Sequence, residues 1–281
     1  MKYLQLVRLY QIVKNLFIFA PLFFGFEFLN PTLLINSLIT FILFSLITSS
    51  VYIVNDVCDK KEDKKHPIKR QRPIASGKVK VKTAITLAII LFLTSLGISF
   101  FFHRSLFLIL FIYFLINLIY SLRLKHFPII DTFVIASGFI LRIYAGGIVV
   151  EILPSEWLFL ITFLLSLFLA FGKRRSELLS TCKNLERRRS IKGYNTAFLN
   201  YIIVFLSSII IVCYILYTTS TQSRYLFLTS LIVIYGFIRY LQILFVENEG
   251  DDPSRTAIVD GKIRLSIIVW VISFVVISFL G

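Results

Sequence analysis

The stretch from Asn55 to Gly77, NDVCDKKEDKKHPIKRQRPIASG, carries three acids, Asp56, Asp59 and Asp63, spaced by three and four residues. On a helix that spacing places them in one stripe roughly 60° wide. Carboxylates packed so closely repel one another, and a hard divalent cation such as Mg²⁺ relieves the repulsion while sharing its shell with waters and substrate phosphates. Immediately downstream, Lys69, Arg70 and Arg72 supply the charge that a phosphate or pyrophosphate needs. An acid stripe followed by a basic segment reads as a site for a metal-bridged diphosphate. The competing reading is a membrane helix that ends in a solvated loop.

The elements around this stretch are set by composition. With 57% hydrophobic and 16% charged residues and a mean hydropathy of +0.85, the chain is not an ordinary soluble domain. Apolar runs able to cross about 30 Å of hydrocarbon lie near Ile12–Leu29, Leu33–Val54, Thr83–Phe102, Leu106–Leu122, Ile129–Val150, Trp157–Phe171, Phe198–Tyr217, Tyr225–Phe245 and Leu265–Leu280. Spans of this length without two-residue alternation predict an all-α, polytopic bundle of about nine transmembrane helices rather than a barrel. Ile12–Leu29 lacks a clear small-residue cleavage site and reads as a first anchor.

With the N-terminus inside, nearly all of the 30 Lys and Arg fall on inner segments, leaving Arg104 and Arg224 outside and Arg142 and Arg239 within spans. The positive-inside rule therefore predicts a multi-pass protein of the cell (inner) membrane with its N-terminus cytoplasmic and its C-terminus outside. This topology absorbs the net charge of +15, so anionic lipid headgroups rather than nucleic acid are the expected counterpart. The inner connections 55–82, 173–197 and 246–263 are long and charged, which puts the expected active site on the cytoplasmic side. No linker or low-complexity tract divides the chain, so residues 1–281 are expected to form one membrane domain.

Other residues qualify by charge or placement. LAFGKRRSELL puts Lys173, Arg174 and Glu177 at the end of the sixth span, either as a second phosphate-binding cluster or as a surface pair of Lys173 with Glu177. YSLRLKHFPIID and SGFILRIYAGG contribute Tyr120, Arg123, Lys125, Asp131 and Arg142. Asp131 at a span boundary and Arg142 inside one are functional candidates because an ionisable group there is costly; Arg239 reads as snorkelling or paired within the bundle. Pro21 is expected to kink the first span, and Gly138, Gly146 and Gly147 to admit a neighbouring helix. His66 lies in the charged motif, whereas His103 and His126 read as interfacial. Cys58, Cys182 and Cys213 are too few and scattered for a disulfide framework or zinc site, and read as reduced thiols.

On these residues the chain resembles the UbiA-type intramembrane prenyltransferase superfamily, whose first signature N-D-x-x-D-x-x-x-D is matched by Asn55, Asp56, Asp59 and Asp63. HPIKRQRPIASG, YSLRLKHFPIIDTFVIASGFILRIYAGG and GKRRSELL are most similar to its branch that transfers phosphoribose to decaprenyl phosphate, a likeness running from about Gln11 to Arg264. Conventional members carry a second D-x-x-x-D motif where this chain has Lys173, Arg174 and Glu177. One acid motif with a basic cluster suits phosphoribosyl pyrophosphate, whose ribose bears an additional phosphate.

The resemblance implies Mg²⁺ held by Asp56, Asp59 and Asp63, with Lys69 and Arg72 neutralising the leaving pyrophosphate, and Asn55, Arg70, Tyr120 and Asp131 among the substrate-binding groups. It also implies an acceptor polyprenyl phosphate; charge and approximate position alone put Lys125 and Arg142 at its phosphate and Lys173, Arg174 and Glu177 at the ribose 5-phosphate and hydroxyls. A role in cell-envelope biosynthesis would follow, and a homo-oligomer is left open. The alternative is a prenyltransferase moving an isoprenoid from its diphosphate to an aromatic or other small acceptor. A transporter is disfavoured by the lack of an internal repeat.

Overall fold

The computed structural model describes residues 2–65, 69–180, 193–221, 223, 225–247, 256 and 259–280. His66, Cys182, Arg224 and Arg255 lie outside these. Among the described residues the chain is helical without strands, and eight helices are long and apolar enough to cross a membrane. It falls into two compact units, Met1–Pro154 and Ser155–Gly281.

The first unit contains α1 (Lys2–Leu6), a 3-10 segment (Leu9–Phe19), α2 (Ala20–Phe24), α3 (Pro31–Cys58), α4 (Lys60–Lys65), α5 (Val81–Phe102), α6 (Arg104–Leu122) and α7 (Ile130–Val149). The expected first span is thereby corrected. It is no continuous α-helix but an 11-residue 3-10 run followed by one short α-helix, with Pro21 in the first turn of α2. Proline is tolerated there because the first turn's N–H groups have no helical acceptor.

The start of α3 is set locally. Asn30 accepts from the Thr32 and Leu33 N–H groups at 3.1 and 3.4 Å, and Pro31 fixes the first helical residue. His103 ends α5 and caps α6, its Nδ1 accepting from the Leu106 N–H at 3.4 Å, so a single residue makes the hairpin between them. Packing of α3, α6, α7 and the 3-10 segment buries Ile18, Phe44, Ile47, Leu106, Leu110 and Ala145 in one core. Full burial of each large side chain is worth about 1.5–3 kcal/mol in water, and here it is replaced partly by contact packing, since lipid is as apolar as the core.

The second unit contains α8 (Glu156–Ser180), α9 (Thr196–Ser220), α10 (Thr229–Phe245) and α11 (Gly261–Leu280). The sixth span does not stop at Phe171: α8 runs through Lys173, Arg174 and Glu177 to Ser180. Arg175 holds this extension, donating from Nε to Asn200 Oδ1 at 2.7 Å and from Nη1 to the Leu244 carbonyl. A polar knot deeper in the unit joins three helices, Trp270 Nε1 donating to Tyr214 Oη at 2.7 Å and Tyr214 Oη lying 2.8 Å from Thr229 Oγ1.

Candidate active site

The three acids stand where α3 passes into α4. Asp59 leaves helical geometry for one residue at the junction, yet its N–H bonds the Asn55 carbonyl at 2.9 Å and its own carbonyl accepts from the Asp63 N–H at 2.8 Å. The stripe anticipated on one helix is therefore split between two helices and kept nearly continuous by these bonds. Asp56 and Asp63 are buried, at 2% and 4% exposure, and Asp59 is partly so. Asn55 Nδ2 donates to Asp59 Oδ2 at 3.1 Å and fixes that carboxylate's orientation.

Each acid faces a cation from a different part of the chain. Arg72 Nη1 lies 3.1 Å from Asp56 Oδ1 and 2.7 Å from Asp63 Oδ2. Arg8 pairs with Asp56, and Lys125, itself 5% exposed, pairs with Asp59. Burial pushes the Asp63 carboxyl above its ordinary range; Arg72 opposes that shift, while the Asp56 and Asp59 charges add to it. The three carboxylates thus sense one another, and their repulsion is relieved by fixed positive side chains.

The positions of these cations follow from apolar packing. Ile74 and Val79 insert beside Ile53, Ala84 and Ala88, which pins the connection 69–80 against α3 and α5. Within it the Ser76 N–H bonds the Arg72 carbonyl at 2.8 Å, and Gly77, at φ 77°, reverses the chain where a side chain would be strained. Leu6, wholly buried, enters the same cluster and delivers Arg8. Lys125 lies in a short 3-10 turn after α6, four residues before Ile129, a β-branched residue at φ 66°.

Of the remaining candidates, Lys69 is partly buried in the 3-10 turn Lys69–Gln71, with Arg70 exposed beside it. Tyr120 is half-buried on the last turn of α6, and Asp131 is wholly buried in the first turn of α7. Arg142 is placed elsewhere than expected: it donates to Asn15, Gly138 and Tyr113 in the apolar core, so an acceptor phosphate there would have to displace one of these bonds. In the second unit Arg174, 2% exposed, pairs with Glu177 while Lys173 is exposed. Arg8 was not foreseen as a site residue, because nothing in its neighbourhood signals a partner 48 positions away.

Among the described residues no three His, Cys, Asp or Glu side chains converge as a finished metal cage. The donor chemistry nevertheless fits a hard cation: three carboxylates close enough to raise the proton affinity of one of them, two of them buried, with Asn55 orienting the third.

Comparison with known proteins gives the same family as the motif. The UbiA prenyltransferase family profile matches residues 17–268. A protein of Mycobacterium tuberculosis named decaprenyl-phosphate phosphoribosyltransferase is 32% identical over 276 residues, covering 94% of this chain and 90% of its own. The protein of the same name from Mycolicibacterium smegmatis is 35% identical over 222 residues, covering 77% and 70%. A solved UbiA homologue from Archaeoglobus fulgidus, bound to DMAPP and Mg²⁺, superposes with a TM-score of 0.72 over 99% of both chains at 17% identity, which establishes the shared fold. The chain is a multi-pass membrane transferase belonging to the UbiA prenyltransferase family.

Proposed function

We propose that this protein transfers 5-phosphoribose from phosphoribosyl pyrophosphate to a polyprenyl phosphate and releases pyrophosphate. The observation that carries the reading is the pairing of three clustered aspartates with Arg8, Arg72 and Lys125, a set able to exchange its internal ion pairs for bonds to a metal and to phosphates. The relatives named decaprenyl-phosphate phosphoribosyltransferase favour phosphoribose over an isoprenoid as the transferred group. The replacement of a second aspartate motif by Lys173, Arg174 and Glu177 favours it too, since a sugar donor brings an extra phosphate.

In this reaction the ribose C1–O bond to pyrophosphate breaks and a phosphate oxygen of the acceptor forms the new C1–O bond. Asp56, Asp59 and Asp63 would hold Mg²⁺, which would supply electrostatic stabilisation of the leaving pyrophosphate. Arg72, turning from the acids, and Lys69 neutralise the same phosphates, where charge builds as the bond breaks. Asn55 keeps Asp59 aimed at the metal, with Arg70 near the entering donor. Lys125, released from Asp59, holds the acceptor phosphate, which is already anionic and needs no general base. Tyr120 and Asp131 flank this acceptor side.

Positioning then supplies most of the acceleration. The charge distribution supports a cytoplasmic N-terminus, an outer C-terminus and a cytoplasmic active site.

The test is pyrophosphate release by purified protein with Mg²⁺, comparing phosphoribosyl pyrophosphate plus polyprenyl phosphate with a prenyl diphosphate plus an aromatic acceptor. Release only from the first pair, with a lipid-linked phosphoribose formed, is the expected result. Release only from the second makes the chain a conventional prenyltransferase.

A further inference from the structure

Arg142 is 4% exposed on α7, within the apolar core, where an ionisable side chain is costly unless partnered. All three of its nitrogens donate: Nε to Asn15 Oδ1 at 2.8 Å, Nη1 to the Gly138 carbonyl at 2.7 Å and Nη2 to Tyr113 Oη at 3.1 Å. Its guanidinium carbon also stands 4.9 Å from the Phe44 ring centre and 5.0 Å from that of Tyr113. Asn15 is wholly buried and passes the connection on, its Nδ2 donating to Ser45 Oγ of α3 at 2.9 Å.

Asn15 belongs to the 3-10 segment Leu9–Phe19, which is immediately preceded by Arg8. Runs of this helix type beyond three or four residues are uncommon because their hydrogen bonds are poorly aligned. Eleven residues in this form therefore take their place from outside ties. Ser49 Oγ donates to the Val7 carbonyl at 3.1 Å at one end, and at the other the Ile18 carbonyl packs against bare Gly146. Arg142 grips the middle.

We propose that Arg142 is a positioning residue for the transferase: by holding Asn15 it fixes the segment that brings Arg8 onto Asp56, and so sets the cation balance of the acid cluster without touching substrate. This rests on reading that cluster as the metal site. Releasing the segment withdraws Arg8 from Asp56 and leaves the carboxylate more available to a metal, so loss of Arg142 tightens metal binding while it slows transfer. A purely structural loss has no reason to tighten metal binding.

The experiment is Mn²⁺ binding to the full-length purified protein, followed by electron paramagnetic resonance without substrate, with pyrophosphate release measured in parallel. Arg142→Met, Arg142→Lys and Asn15→Ser are each expected to bind Mn²⁺ about tenfold more tightly, as removal of a nearby unit charge does, and to match Arg8→Met in direction. Arg142→Lys keeps the charge but not the planar fork, and Asn15→Ser alters no charge and is the milder change should the Arg142 variants fail to fold. The double variant Arg8→Met/Arg142→Met is expected to show no further tightening.

Unchanged Mn²⁺ affinity in Arg142→Lys and Asn15→Ser overturns the proposal, as does additive tightening in the double variant. So does a rise in KM for polyprenyl phosphate in Arg142→Met with Mn²⁺ affinity unaltered, which would make Arg142 a substrate group. Wild-type protein that binds no Mn²⁺ overturns both the metal site and this proposal. Protein that binds Mn²⁺ but transfers no phosphoribose refutes the substrate reading alone, and the Mn²⁺ series still decides the role of Arg142.

Discussion

Arg72 donates from Nη1 to Asp63 Oδ2 at 2.7 Å. Nη1 also lies within hydrogen-bond reach of Asp56, so one guanidinium spans both buried acids, where the proposed reaction requires the leaving pyrophosphate to be neutralised. Arg72→Met should lower turnover about 10²-fold, the typical effect of removing one preorganised donor to developing charge. The check is initial-rate pyrophosphate release, with Mn²⁺ binding tightened, as for Arg8→Met, and not lost.

Ile74 anchors the same connection, being 1% exposed against Ile53 and Val79. Ile74→Ala should cost about 2–5 kcal/mol of stability, as truncation of a buried aliphatic does, and lower kcat more than it raises the KM for the donor, because Arg72 loses its support at the charge that develops as the bond breaks. Thermal unfolding in detergent and steady-state kinetics measure the two effects.

Gly146 leaves no room for a side chain: a Cβ there would stand 1.9 Å from the Ile18 carbonyl oxygen. Gly146→Ala should displace the 3-10 segment, lower thermal stability and alter Mn²⁺ affinity in the same direction as Arg8→Met. Gly138→Ala serves as the comparison, since its Cβ would meet nothing nearer than Arg142 Nη1 at 3.4 Å.

Asp260 accepts from Arg239 Nη2 at 2.7 Å and from the Ile263 N–H at 2.8 Å, capping α11. The Arg239 hydrogen bond holds its carboxyl below the ordinary value. A depressed carboxylate stabilises the fold above its unfolded pKa of about 3.9, and that contribution is lost as pH falls through the lower folded value. Asp260→Asn should therefore reduce the melting temperature near pH 7, and the difference from wild type should close in acid. Melting curves across pH check this.

Local rules made much of the bundle legible. The apolar spans and the spacing of Asp56, Asp59 and Asp63 both express interactions within a few residues. What escaped depends on distance or on hydrogen-bond pattern. Hydropathy reports that residues 9–24 are apolar, not that eleven of them adopt 3-10 geometry. Charge at the end of the sixth span suggested a terminus at Phe171, whereas Arg175, bonded to Asn200 and Leu244, carries α8 onward. Arg142 announced itself as unusual, but its partner Asn15 lies 127 positions away and left no periodic trace. Arg8 was hidden for the same reason.

The account depends most on the acid cluster as the reaction centre, and the direct measurement is the Mg²⁺ dependence of phosphoribosyl transfer in Asp63→Asn and Asp59→Asn beside the wild type, each shown to be folded. The prediction is a loss of at least about 10²-fold in transfer, together with weakened Mn²⁺ binding. Folded variants that transfer phosphoribose at the wild-type rate and Mg²⁺ requirement would contradict it.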